Sequence, residues 1–229
     1  MNHKKRIVVL TGAGMSAESG IKTFRDADGL WEGHDIQEVA TPQGWHKNPE
    51  LVLEFYNQRR QQLLNVQPNK AHYFLKSLED KYDVHVITQN VDDLHERAKS
   101  SKVLHLHGEL RKVRSTVKES LVYNWDSDLI MGDLCAEKYQ LRPHIVWFGE
   151  AVPNLINAEQ ITQTADILII IGTSMQVYPA ANLIYAVKRG TLIYFIDPKP
   201  NVSENHFDNL TVISEPATVG MEKLYKILK

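Results

Sequence analysis

Gly12-Ala13-Gly14-Met15-Ser16-Ala17 fits the G-x-G-x-x-G/A pattern between an apolar run and a helix-like segment. In that pattern the first glycine permits a tight turn and the second lets the backbone approach a pyrophosphate. The phosphate charge then meets N–H groups at the helix start. From these residues alone, a tight strand-to-helix turn without a ligand reads equally well. A dehydrogenase would add an acidic residue at the end of a second strand, roughly 20 residues on. Glu32 lies near that spacing, but within Asp28-Gly29-Leu30-Trp31-Glu32, a loop by composition, so ordinary hydride transfer is disfavoured. Ser16-Ala17-Glu18-Ser19-Gly20-Ile21 leads on to Phe24-Arg25, an aromatic and a cation placed to close over the far half of a dinucleotide. Standing alone, they would read as a core plug and a solvated charge.

Thr88-Gln89-Asn90-Val91-Asp92 follows an apolar strand, where ligand groups gather in open parallel sheets. Its carboxamides and carboxylate suit recognition of another amide such as nicotinamide; alternatively Asn90 or Asp92 caps the next helix. In His105-Leu106-His107-Gly108, strand alternation puts both histidines on one face. No nearby cysteine or acid completes a metal site, and a histidine at a strand's carboxyl end suits a general base. A hydrogen-bonded core histidine is the competing reading. Gly172-Thr173-Ser174 and Asp197-Pro198-Lys199 end two further strands, where they would hold ribose and adenine or simply turn the chain.

The segment after Asn48-Pro49 carries a different signal. At 100° per residue, Leu51, Val52, Phe55, Tyr56, Arg59 and Leu63 share one stripe, with Arg59 at its middle. Its neighbours three and four positions away are Phe55, Tyr56, Gln62 and Leu63, none of them acidic. A desolvated guanidinium needs an anion, and a ligand carboxylate would satisfy it bidentately, with Tyr56 as a second donor. An acid from elsewhere in the fold, or an exposed head on a buried stem, would serve as well.

The elements that must position these groups alternate. Strands are expected at Val8–Thr11, Val84–Thr88, Val103–His107, Ile145–Phe148, Ile167–Ile171 and Leu192–Ile196. Helices are expected from Pro49 to about Leu64, Pro68 to about Lys81, and at about Asn154–Thr164, Pro179–Lys188 and Ala217–Leu228. Strands this apolar alternating with helices imply an α/β fold with a parallel sheet covered on both faces. Two excursions break the rhythm, Asp26–Val66 and a polar, irregular Arg111–Arg142, and are expected to form a smaller lobe.

Composition bounds the function. The 229 residues carry a net charge of −2, with 43% hydrophobic and 24% charged residues, which is ordinary globular usage. There is no electrostatic footprint for nucleic acid. The longest aliphatic run, Ile167–Ile171, cannot span a bilayer, and Ile7–Leu10 is too short for a secretory signal. A single cysteine, Cys135, excludes an intramolecular disulfide. A cytoplasmic protein is the expectation.

Taken together and in order, the motifs resemble the sirtuins, the NAD-dependent protein-lysine deacylases. The matching segments are Gly12–Ile21, Phe24-Arg25, Thr88–Glu96, His107-Gly108-Glu109, Val146–Glu150 and Gly172–Ser174. The resemblance implies one catalytic unit in which a Rossmann-like part (about residues 1–40, 67–110 and 143–229) faces a small lobe (about 41–66 and 111–142). NAD would be bound by Gly12, Ala13, Gly14, Met15, Ser16, Ala17 and Glu18, by Phe24, Arg25 and Trp31, and by Gln89, Asn90, Val91 and Asp92. Gly172, Thr173, Ser174, Asp197, Pro198, Lys199 and Ala217 would contact its adenosine half; the family usually carries Asn where Asp197 stands. Val146, Trp147, Phe148, Gly149 and Glu150 would pair with the peptide backbone as an added strand.

The mechanism implied is attack of the acyl oxygen on C1′ of the nicotinamide ribose as nicotinamide leaves. His107 then draws a proton from the ribose hydroxyls, and free lysine and O-acyl-ADP-ribose result. Tyr56-x-x-Arg59 resembles the subgroup that removes succinyl and malonyl groups, and Ala40 matches the small residue that leaves room for them. The partners would be acyl-lysine proteins or peptides. A non-catalytic NAD or ADP-ribose sensor and a mono-ADP-ribosyltransferase are the alternatives. Most sirtuins carry four zinc cysteines in the second excursion; with Cys135 alone, no structural zinc and no metal ligands are expected. Contacts around Leu121, Tyr123, Trp125 and Leu129 would hold the lobe instead.

Overall fold

The computed structural model describes residues 4–22, 30–31, 33–202 and 207–229, with only the backbone for 30 and 31. In chain order the elements are β1 (Arg6–Thr11), α1 (Gly14–Ala17), β2 (Leu30–Trp31), β3 (His34–Asp35), α2 (Ile36–Val39), α3 (Pro42–Lys47), α4 (Pro49–Asn65) and α5 (Lys70–Leu78). Next come β4 (Asp83–Thr88), α6 (Leu94–Arg97), β5 (Val103–His105), β6 (Gly108–Ser115), β7 (Val122–Asn124), β8 (Leu141–Ile145) and α7 (Leu155–Thr162). The chain closes with β9 (Ile167–Ile171), a 3-10 helix (Ala180–Ala186), β10 (Leu192–Ile196), β11 (Leu210–Ile213) and α8 (Ala217–Leu228).

Six strands form one parallel sheet in the order β11-β10-β9-β1-β4-β5. Successive β1 side chains go to opposite faces, and both faces are covered. Ile7 and Val9 pack with Leu75 of α5 and Met221 and Leu224 of α8. Val8 and Leu10 pack with Ala158 of α7 and with Leu183 and Ile184 of the 3-10 helix. Burial on both sides is why these strands read as unbroken apolar runs. The strand order reverses at β1, so the loops after β1, β4 and β9 face one crevice, the usual ligand position in such sheets. No helix among the described residues is long and apolar enough to cross a membrane.

Several elements differ from the sequence reading. Arg111–Arg142 is not irregular: β6, β7 and β8 form a three-stranded antiparallel sheet in the order β7-β6-β8. On β6 consecutive charged residues carry ion pairs, Arg111 with Asp93 and Asp126 and Lys112 with Glu109, and this hides the strand's alternation. The strand expected at Ile145–Phe148 lies earlier, at Leu141–Ile145, and β5 stops at His105. The helix expected over Pro179–Lys188 is the shorter 3-10 segment.

Asn48 caps α4, its Oδ1 accepting the Leu51 N–H at 3.1 Å, with Pro49 in the first turn. The buried face of α4 is Val52, Leu53, Phe55, Tyr56, Asn57, Arg60 and Leu63. It is thus centred one residue beyond the expected stripe, with Arg60 rather than Arg59 fully enclosed. Arg60 donates to Asn57 Oδ1 (2.8 Å), Leu110 O (3.1 Å) and Ser127 O (3.3 Å), tying α4 to β6 and the loop beyond β7. Leu53, Val113, Leu129, Cys135 and Leu141 form the adjoining core, with Trp45, Leu121, Tyr123 and Trp125 packed on it.

Candidate active site

A cleft of about 1210 Å³ opens at the carboxyl ends of β1, β4, β9 and β10. Drug-sized pockets occupy roughly 300–1000 Å³, so this one has room for a dinucleotide and a further side chain. The glycine loop forms one wall. Gly12 N–H donates to Ile171 O at 3.0 Å and Gly14 N–H to Gly172 O at 2.8 Å. A Cβ on Gly14 would lie 2.6 Å from Gly172 Cα, and Gly172 itself has φ +62°. These glycines therefore let two strand-end loops touch, a reason independent of any phosphate.

Ala13, Ser16, Ala17 and Glu18 also line the cleft, whereas Met15 points away and is wholly buried in the sheet core. The residue after the second glycine opens α1 toward the sheet, which the motif alone does not reveal. Glu18 accepts from the Thr218 N–H (2.8 Å) and hydroxyl (2.6 Å), bringing the start of α8 and Ala217 to the rim. Phe24 and Arg25 lie outside the described residues. Of Trp31 the described part is the backbone, paired with His34.

The segment after β4 supplies the floor. Asn90 Nδ2 donates to Ser16 Oγ at 3.2 Å, and Ser16 Oγ donates to Asp92 Oδ2 at 2.8 Å. Asp92 Oδ1 accepts the Leu94 N–H at 3.1 Å, a turn just ahead of α6, whose N-cap is Asp93, and Asp92 borders the cleft beside Val91. Burial raises the Asp92 pKa, against the pull of the Ser16 and Leu94 hydrogen bonds. Gln89 Nε2 donates to Thr173 Oγ1 at 3.3 Å, and Ser174, Asp197, Pro198 and Lys199 continue the rim. Asp197 Oδ1 accepts the Lys199 N–H at 2.9 Å, closing its turn.

The two histidines separate. His105 lies behind the floor, Nδ1 on Asn90 O (3.1 Å) and Nε2 on Glu96 Oε1 (2.9 Å). Although burial opposes it, Glu96 raises the His105 pKa. His107 borders the cleft, and its Nδ1 donates to Gln89 O at 3.0 Å. A carbonyl can only accept, so the proton is assigned to Nδ1 and Nε2 is left with the basic lone pair. Burial lowers the His107 pKa below 6.5.

Opposite stand Ala40, Tyr56 and Arg59, with Val146–Glu150 between them and His107. The Arg59 guanidinium lies 4.2 Å from the centre of the Phe55 ring and donates to Phe55 O at 3.2 Å. Within Val146–Glu150 the N–H groups are engaged internally: Val146 with His107 O (2.9 Å), Trp147 with Glu150 Oε2 (2.8 Å) and Phe148 with Ala40 O (2.9 Å). Glu150 N–H donates to Trp147 O at 3.0 Å.

A Sir2 family model matches residues 12–179 of this chain. The chain belongs to the Sir2 family, the sirtuins. It is similar to an NAD-dependent protein deacylase of Helicobacter pylori, 61% identical over 96% of both chains. One from Bacteroides thetaiotaomicron is 51% identical over 98% of both. A solved Sir2 homologue in complex with ADP-ribose superposes with a TM-score of 0.89 at 42% identity, covering 98% of this chain and 92% of that one. This sirtuin is accordingly an enzyme, an NAD-dependent protein deacylase.

Sequence reasoning missed part of the sirtuin's cleft. Arg142, buried outside the lining, packs on Trp147, and Gln37, Gln62 and Gln176 join the lining. These residues reach the site through tertiary packing and carry no local motif. No group of three or more His, Cys, Asp or Glu side chains suited to a metal occurs among the described residues.

Proposed function

We propose that this sirtuin removes succinyl and malonyl groups, as well as acetyl groups, from lysine side chains of proteins. The observation carrying this reading is that Tyr56, Arg59 and Ala40 border the same cleft as His107. Arg59 offers a guanidinium to a terminal carboxylate, and buried Ala40 leaves the space a longer acyl chain needs. Burial holds the Tyr56 phenol well above its ordinary pKa, so it stays a neutral donor.

The cleft suits NAD by its size and by the polar floor of Ser16, Gln89, Asn90 and Asp92, with Gly12, Ala13, Gly14, Ala17, Glu18 and Val91 beside it. Gly172, Thr173, Ser174, Asp197, Pro198, Lys199 and Ala217 would hold the adenosine half. When bound, NAD supplies a ribosyl carbon whose bond to nicotinamide breaks, driving transfer of the acyl group. Asn90 and Asp92 hold the amide end, and His107 takes up a proton at Nε2. Val146–Glu150 steers the peptide past His107.

The reading also keeps the partition into a Rossmann-like part and a small lobe, the latter without zinc. Its support is the buried cluster of Leu53, Val113, Leu129, Cys135 and Leu141 around the chain's lone cysteine. Stoichiometric zinc in the purified protein would overturn that last point. The acyl assignment is tested by Arg59→Met assayed on acetyl- and succinyl-lysine peptides of one sequence. A loss confined largely to the succinyl peptide is expected; equal loss on both refutes it.

A further inference from the structure

Trp147 is 2% exposed and holds an unusually constrained indole. The Arg142 guanidinium carbon lies 3.2 Å from the centre of its ring. That guanidinium also bonds both Glu150 oxygens, at 2.7 and 3.1 Å, and Ile145 O at 3.0 Å. Glu150 Oε2 in turn accepts the Trp147 N–H, and Arg114 approaches the same carboxylate at 3.3 Å. On its far side the indole packs against Trp45, ring centres 5.7 Å apart. Ring and backbone of Trp147 are therefore fixed together, and the indole N–H is aimed at the Tyr56 hydroxyl, 3.1 Å away.

An indole N–H donates only, so the Tyr56 oxygen accepts this bond. With one acceptor direction filled by Trp147, the phenol hydrogen is turned away from the indole and toward an acceptor elsewhere. Burial keeps that hydrogen in place at any working pH. A succinyl or malonyl carboxylate is such an acceptor; an acetyl methyl group is not. We propose that Trp147 is a positioning residue for acyl selectivity, fixing the Tyr56 hydroxyl as a donor to acidic acyl chains. This rests on the assignment of Tyr56 and Arg59 to the acyl carboxylate.

Trp147→Phe keeps an aromatic ring over Arg142 and removes the donor. The readout is the ratio of kcat/KM for succinyl- over acetyl-lysine peptide, which general damage to the fold would leave unchanged. The ratio should fall by roughly 3- to 10-fold, the range of one hydrogen bond. In a Tyr56→Phe background, Trp147→Phe should change it no further. An unchanged ratio, or a full second loss in the Tyr56→Phe background, overturns the proposal. Arg59→Met separates the two layers. If Arg59→Met shifts the ratio and Trp147→Phe does not, the positioning role alone fails; if neither does, the acyl-site assignment has failed. Should Trp147→Phe not fold, the wild-type enzyme decides. Its Trp147 indole resonance should shift further with succinyl-lysine peptide than with the acetyl peptide of the same sequence; equal shifts, or none, overturn the role.

Discussion

Replacing Gly14 by Ala distinguishes a glycine kept for packing from one kept for its ligand. The added methyl would sit 2.6 Å from Gly172 Cα and 3.0 Å from Gly172 O, both backbone atoms that cannot swing aside. Restoring ordinary contact would require the glycine loop and the end of β9 to part by about 0.8 Å. That separation stretches the 2.8 Å bond from Gly14 N–H to Gly172 O. Overpacking of this kind costs about 1–3 kcal/mol and a weakened hydrogen bond about 1 more. Against this, alanine restricts the unfolded chain and favours helix by up to ~1 kcal/mol. The net expectation is a loss of about 2 kcal/mol, a fall in Tm of roughly 4–8 °C for a chain of this size. Thermal unfolding without any nucleotide measures it directly. An unchanged Tm with a raised KM for NAD would refute the packing argument and return Gly14 to a purely ligand-facing role.

Other outcomes follow from the histidines. His107→Ala should abolish deacylation while calorimetry still detects NAD binding; surviving turnover would remove His107 from its assigned role. Because burial lowers the His107 pKa, the neutral base persists below pH 6.5. The acid limb of kcat/KM should therefore lie under pH 6.5 with a plateau above it, and a limb centred at 7 or higher contradicts this. His72 is fully buried, and burial lowers its pKa to about 4. Between pH 6.5 and 4 the unfolded chain binds a proton that the folded chain refuses, so stability falls as the pH drops. The full effect is about 3 kcal/mol. Urea unfolding at pH 7 and 4.5 should show a drop that His72→Gln reduces.

The inner strands β10, β9, β1 and β4 were legible because strands buried on both faces have few places for polar residues, whereas the half-exposed edge strand β11 was not expected. The antiparallel sheet was not: Arg111, Lys112 and Arg114 on β6 find their partners in Asp93, Glu109, Asp126 and Glu150, and a local reading sees only charge. Periodicity located a buried face on α4 but centred it on Arg59. The true burial of Arg60 depends on Leu110 and Ser127, 50 and 67 residues away. Within the cleft, the motif positions supply much of the lining, but Asp35, Gln37, Gln62, Leu110, Val152 and Gln176 border it with no motif to mark them. Met15 was misplaced because G-x-G-x-x-A specifies the turn and leaves open which following side chain enters the core. The Arg142 support of Trp147 had no signal, since it joins a strand to a turn through side chains alone.

The internal engagement of the Val146, Trp147 and Phe148 N–H groups has a consequence for recognition. An extended substrate laid along Val146–Phe148 would find those three N–H groups already taken, so it would have to bring the hydrogens itself. Proline has none to bring, and sequences with proline flanking the modified lysine would be poorly gripped there, whatever their side chains offer.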